Sequence, residues 1–353
     1  MSGSPPASLR ALAARVDARL DAFLAAERDR WAAFDAELAH PIDEIRRLVL
    51  SGGKRLRPAF CHWGYVGAGG GDDDPVDVDA GAAFELMHAF ALFHDDVMDD
   101  AGSRRGQPTT HTVAADQHDR DGWAGESRRF GEGVAILVGD LAFVYADRLL
   151  HEASPAASAI WDELRIELNI GQYLDILGGV QRTRDVATAE RICRYKSGKY
   201  TIERPLHLGA ALAAPHRTPE LLPHLSNYGL PLGDAFQMRD DVMGAFGEEA
   251  LTGKPVGGDL IEGKPTPLLA RAARRANDAQ LAVLDLVGDP GMDAATVTRV
   301  QDVIVETGAL DELEAHITEL TETAIASLDA APIADHVKIE LAELATYVSR
   351  RTT

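Results

Sequence analysis

Four aspartates, Asp95, Asp96, Asp99 and Asp100, crowd the middle of F-E-L-M-H-A-F-A-L-F-H-D-D-V-M-D-D-A-G-S-R-R-G-Q-P-T-T-H, the stretch from Phe84 to His111. Phe84, Met87, Ala91 and Met98, with Leu92 alongside, recur at three- and four-residue steps, the period of a helix packed into a core. On that helix Asp95 and Asp99 stand one above the other, with Asp96 beside them. Carboxylates so placed repel, and the last turn of a helix is its negative end. A divalent cation reverses both penalties; a lone cluster of this kind also reads as a solvated acidic helix end. Arg104 and Arg105 follow, before Gly106. Hard metal beside guanidinium suits a polyphosphate, because metal bridges some oxygens and arginine binds others bidentately.

The association returns at Phe236-Gln237-Met238-Arg239-Asp240-Asp241-Val242-Met243-Gly244, a second acidic helix end, followed by Gly253-Lys254-Pro255, Gly257-Gly258-Asp259 and Glu262-Gly263-Lys264. Repetition argues against accident. Two such helix ends facing each other would form one metal-bridged anion site at the mouth of an apolar bundle. A further cationic segment, Lys54-Arg55-Leu56-Arg57-Pro58, follows the glycine stop Ser51-Gly52-Gly53 and could hold diphosphate, or could be a solvated basic turn. Gln172 and Asp175 are polar on an otherwise apolar face, where a structural hydrogen bond is the plainer account. Lys196 and Lys199 lie between apolar turns and could snorkel to water.

The elements that must position these groups read as helices. Leu9, Leu12, Val16, Leu20, Leu24, Trp31, Phe34 and Leu38 keep a helical period after a short polar leader, residues 1–8, expected to be flexible. A shorter helix runs from Ile42 to Leu50, and Gly67 to Val78 reads as a surface loop. The polar segment from Thr112 to Gly133 reads as a flexible connection. Further helices are expected at Val134–His151, Asp162–Val180, Ala187–Ala213, Glu220–Ala245, Pro267–Leu286, Ala294–Glu306, Leu310–Asp329 and Asp335–Arg350, with Pro and Gly at most junctions. Alternating β-branched runs are missing, so the class is all-α, and neither a fixed repeat nor an interdomain linker emerges.

With 353 residues, 46% of them hydrophobic, the chain can build a sizeable core. A net charge of −21 argues against nucleic acid and anionic membrane as partners, and makes the local cation clusters more informative. Cys61 and Cys193 suggest reduced core residues rather than a disulfide framework or zinc site. No signal peptide is read at the N-terminus, and no run reaches the roughly 18 apolar residues of a membrane span. A soluble cytoplasmic protein is the expectation.

Taken in order and over nearly the whole chain, G-G-K-R-L-R-P, D-D-V-M-D, the lysines after Tyr195 and F-Q-M-R-D-D resemble the trans-isoprenyl diphosphate synthases of the polyprenyl synthetase family. The resemblance implies one helical bundle spanning residues 1–353 around a central apolar cavity, a homodimer, and condensation of isopentenyl diphosphate with allylic diphosphates of C5 to C15 by head-to-tail 1'-4 elongation to an all-trans product. It implies that Asp95 and Asp99, with Asp96, hold two Mg²⁺ and that Asp240, with Asp241, holds a third. It gives Arg104, Lys196, Gln237, Lys254 and Lys264 to the allylic diphosphate, and Lys54, Arg57, His88 and Arg105 to isopentenyl diphosphate. Preorganised cations lower the barrier to allylic C–O ionisation; the alkene then attacks, and a proton leaves with the diphosphate. Backbone carbonyl near Lys196-Ser197 and the Gln237 side chain are implied to face the carbocation. One departure is Gly244, where the family's fuller pattern has aspartate; Glu248 and Asp259 are nearby acids that could contribute.

Chain length follows from the residues before Asp95. Each helical turn rises about 5.4 Å, comparable with one isoprene unit. Phe90 stands five positions before Asp95, small Ala91 four and Met87 eight, a pattern that resembles geranylgeranyl diphosphate synthases and implies a C20 product. Farnesyl or longer polyprenyl synthases, a non-catalytic subunit of a heteromeric synthase and a class I terpene cyclase are the alternatives. The Lys54/Arg57 segment and the second acidic helix end argue against the cyclase; Gly244 is the only hint of a non-catalytic subunit.

Overall fold

Heptad-like spacing of Leu9, Leu12, Val16, Leu20 and Leu24 buries one stripe of the first helix, and the same logic builds most of the chain. The computed structural model describes residues 5–104, 106–247, 257–289 and 291–350. Helices carry most of them, and the single pair of strands among the described residues is a hairpin of two residues a side. The contacts separate into two compact units, Ala7–His62 with Gly71–Ser154, and Trp63–Gly70 with the chain from Pro155 onward.

In the N-terminal unit, α1 spans Ala7–Ala32, α2 His40–Leu50, α4 Pro75–Met98, α5 Thr110–Asp121 and α6 Ser127–Leu149; α3, Leu56–Gly67, begins in it. The first helix stops short of the Leu38 expected from its apolar period. Asp35 accepts a hydrogen bond from the Glu37 amide and caps a 3₁₀ turn over Ala36–Ala39, which leaves Phe34 79% exposed. The helix also begins at Ala7, inside the expected leader. The surface loop is shorter than expected, because Pro75 and Val76 already open α4. The segment expected to be a flexible connection is instead α5 and the start of α6. Gly122, at φ 63°, ends α5 with the Trp123 amide donating to the His118 carbonyl. Within α4 the apolar stripe holds at Phe84 and Met87, but Met98 is 51% exposed.

The C-terminal unit is built from α7 (Pro155–Val180), α8 (Val186–Cys193), a π-helix over Arg194–Glu203, α9 (Arg204–Ala213), α10 (Thr218–Phe246), α11 (Gly258–Ile261), α12 (Pro267–Arg275), α13 (Asp278–Leu284), α14 (Ala294–Glu306), α15 (Ala309–Ser327) and α16 (Asp335–Arg350). The helix expected as one piece over 187–213 therefore contains ten residues of wider winding, and that expected over 267–286 is two. A π segment shifts the backbone hydrogen-bond register and is frequent at functional sites. Both cysteines are free and buried.

Candidate active site

At the C-terminal end of α4 the chain turns through a Schellman motif. The Ala101 amide donates to the Asp96 carbonyl at 2.9 Å, and Asp100 takes the left-handed position at φ 51° where glycine is usual. This stop fixes the last turn, which carries Asp95, Asp96 and Asp99. The hairpin of β1 (Ser103–Arg104) and β2 (Gln107–Pro108) then folds Arg104 back onto the helix end. Its guanidinium lies 2.6 Å from Asp96 Oδ1 and 3.5 Å from Asp95 Oδ2. Burial pushes the Asp96 carboxyl up, with Arg104 working against that push. Asp96 is thus committed to Arg104, while Asp95 and Asp99 are more open.

Upstream on α4, His88 lies two turns before Asp95, and Phe90 packs against α6. Its ring sits 4.5 Å from that of Phe143 on α6 and 4.7 Å from the His94 imidazole. Lys54 and Arg57 flank Arg55, whose role differs in kind. Arg55 is buried at φ 50°, donating to Asp17 at 2.8 Å, to Glu85 at 2.5 Å and to the Val49 carbonyl. It anchors the basic turn from below rather than facing a ligand. Nothing in the local sequence signals this, since Glu85 is thirty residues away.

The end of α10 is built differently. Gln237 donates to Asp241 Oδ1 at 2.9 Å; Oδ2 of Asp241 is buried and meets no donor among the described residues. Burial pushes the Asp241 carboxyl well up, and the charges of Asp259, Asp240 and Asp175 push the same way. Lys196, within the π-helix, reaches Asp175 of α7 at 2.5 Å. The backbones of α7 and the π-helix meet closely at Gly171, where a Cβ would lie 2.3 Å from the Lys196 backbone nitrogen. Lys264 pairs with Glu262 and stands 3.5 Å from Asp259. Lys199 does not snorkel to water; it pairs with Glu167, which Arg204 also grips. Arg239, next to Asp240, is turned away to Glu314 and the Ser349 carbonyl. Arg105, Glu248 and Lys254 lie outside the described residues.

The sequence profile of the polyprenyl synthetase family matches residues 39–304. The chain belongs to that family. It is 32% identical to the geranylfarnesyl diphosphate synthase of Aeropyrum pernix over 84% of this chain and 89% of that one. It is 30% identical to the geranylgeranyl diphosphate synthase of Mycobacterium tuberculosis over 80% and 76% of the two chains. The crystal structure of a geranylgeranyl pyrophosphate synthase from Corynebacterium glutamicum, complexed with isoprenyl diphosphate and magnesium, superposes with a TM-score of 0.91 at 36% identity, covering 97% of this chain and 99% of that chain. This polyprenyl synthetase is accordingly an all-α prenyltransferase of isoprenoid synthesis.

The donors fit the Mg²⁺ dependence general to such synthetases. Every candidate ligand is a carboxylate oxygen, the hard donor Mg²⁺ prefers, and the buried Asp241 oxygen is one that a nearby cation would compensate. Among the described residues no three acid, histidine or cysteine side chains form a closed ligand set.

Proposed function

We propose that this synthetase elongates allylic diphosphates of C5 to C15 with isopentenyl diphosphate, head to tail, to all-trans geranylgeranyl diphosphate. The observation that carries the product length is the packing of Phe90 on Phe143, two rings closing the side of α4 one to two turns before Asp95, with small Ala91 beside them and buried Met87 a turn beyond. A chain growing along α4 from Asp95 meets that wall after a few isoprene units, each about one helical turn long.

In this reading Asp95 and Asp99, with Asp96, and Asp240, with Asp241, are the carboxylates that hold three Mg²⁺. Bound Mg²⁺ supplies positive charge to the departing diphosphate. Arg104, Lys196 and Lys264 bind and orient the allylic diphosphate, Lys254 joining them, and Lys54, Arg57, His88 and Arg105 hold isopentenyl diphosphate. The allylic C–O bond breaks with its electron pair on the diphosphate oxygen. The isopentenyl double bond then attacks the allylic carbon, and the proton lost in forming the new double bond passes to the released diphosphate. Gln237 and the carbonyls of the π-helix near Lys196 face the cationic carbon in that scheme. The enzyme works in the cytoplasm as a homodimer, a second copy covering the exposed Ile166, Ile170 and Tyr173 of α7. No helix among the described residues is long and apolar enough to cross a membrane.

The test is a product assay with purified protein, Mg²⁺, isopentenyl diphosphate and each allylic starter, reading chain length by mass after dephosphorylation. A dominant C20 alcohol, abolished by EDTA and lengthened by Phe90→Ala, is expected. C15 or longer products from the unmodified enzyme would sink the assigned length, and an unchanged product from Phe90→Ala would remove Phe90 from the wall.

A further inference from the structure

Lys199 and Arg204 stand five positions apart in the chain, yet both side chains end on one carboxylate. Lys199 Nζ pairs with Glu167 Oε1, and Arg204 grips the same group with Nε on Oε2 at 2.6 Å and a terminal nitrogen on Oε1 at 2.7 Å. On an α-helix, side chains five positions apart point about 140° away from each other round the axis. A π-helix closes its hydrogen bonds five residues on, which brings positions i and i+5 toward one face. The Arg204 amide donates to the Lys199 carbonyl in this wider pattern, so the two cations share the face that Glu167 meets. Glu167 is buried, and its charge is costly there unless cations meet it. The same face of α7 touches the π-helix twice more. Gly171, one turn beyond Glu167, brings the backbones together at Tyr195 and Lys196, and Asp175, a further turn on, receives Lys196 Nζ. From α10, Asp234 holds Arg194, the first residue of the π segment, at 2.5 Å.

We propose that Glu167 is a positioning residue for prenyl transfer: by joining Lys199 to Arg204 it holds residues 194–203 in π winding, and that winding aims Lys196 and the neighbouring carbonyls at the allylic diphosphate. This rests on the reading of Lys196 as a ligand of that diphosphate. An α winding of the same residues would turn Lys199 and Arg204 onto different faces and rotate Lys196 relative to both.

The experiment pairs the crystal structure of Lys199→Met with its thermal melt and with steady-state kinetics of the full chain on both substrates. This variant leaves Glu167 its two bonds to Arg204, so that carboxylate keeps a cation while the bridge from i to i+5 is gone. Residues 194–203 are expected to rewind, at least in part, to i→i+4 hydrogen bonds in a protein that still melts cooperatively. The kcat/KM for the allylic diphosphate should fall about a hundredfold, the scale of a small misplacement at the reacting group, with the KM for isopentenyl diphosphate unchanged. Lys199→Arg, which still reaches Glu167, should keep both winding and rate. Arg204→Met breaks the bridge from its other end and should match Lys199→Met, and the double variant should cost no more than either, because one bridge is lost once. A π winding kept in both single variants overturns the inference alone, and so do losses that add in the double variant. Rewinding that leaves the allylic kcat/KM unchanged overturns the reading of Lys196 beneath it and, with it, the positioning role.

Discussion

The ends of α4 and α10 bear the same acidic chemistry in different states of balance. At α4 one carboxylate, Asp96, is neutralised by Arg104 from the following hairpin, leaving Asp95 and Asp99 as the more open pair. At α10 the adjacent arginine, Arg239, is spent on Glu314, and Asp240, Asp241 and Asp259 gather with a buried Asp241 oxygen that meets no donor among the described residues. The first end is electrostatically tolerable without metal. The second holds a buried carboxylate, Asp241, with one oxygen that meets no donor among the described residues and that a cation would relieve. Sequence similarity between two acid clusters thus conceals opposite requirements, set by where the nearest guanidinium points.

The largest effects should be catalytic and unequal. Asp95→Ala is expected to lower kcat by about a hundredfold or more, the scale of losing one preorganised electrostatic contact to a developing anion. Asp240→Ala should cost less, about tenfold, because Asp241 remains beside it. Steady-state rates at saturating Mg²⁺ decide this. Equal losses would break the comparison, since they would mean that the α10 acids do not stand in for one another.

Stability without metal should then differ in sign. Asp96→Asn removes the charge that Arg104 was placed to meet and is expected to cost about 1–3 kcal/mol. Asp241→Asn removes a buried charge pressed by other carboxylates and keeps the Gln237 contact within reach, and should stabilise the metal-free protein by about 1 kcal/mol. Urea unfolding in EDTA reads both. Destabilisation by Asp241→Asn would show that its charge is already met. With Mg²⁺ and diphosphate added, the gain from Asp241→Asn should shrink or reverse.

How much of this was legible in the sequence follows from the range of each interaction. The helices, the acids at their ends and the all-α class were readable because apolar period and caps are local. Asp35 is a readable stop that the continuing period of Phe34 and Leu38 outweighs, and α5 reads as a polar loop because polar residues fill most of it, including the buried Thr110 and His118. The π-helix leaves no clear mark in residue types. The contacts that give each acid its role, Arg55 with Glu85 and Lys196 with Asp175, join positions 21 to 30 residues apart, beyond any local pattern.

The contrast between the two helix ends is cleanest at neutral pH, because the C-terminal unit carries an acid-sensitive group of its own. His207 is buried, its pKa lowered to about 3 by burial, with the nearby Arg204 charge acting the same way. Ser226 donates to Glu203 at 2.7 Å, so the His207 Nε2 proton points to Ser226 Oγ at 3.0 Å and Nδ1 faces the Arg204 guanidinium as an acceptor. Protonating Nδ1 would set N–H against N–H. The unfolded chain takes up this proton near pH 6.5 and the folded one only near 3, so below 6.5 the unfolded state binds more protons. Stability is therefore lost as pH falls through that window, by up to about 1.4 kcal/mol for each pH unit. His207→Gln should flatten this slope between pH 6.5 and 5, before most carboxylates titrate. If the variant and the unmodified protein lose stability in parallel there, the imidazole is charged in the fold, and the buried assembly around Glu167, Lys199 and Arg204 accommodates another cation.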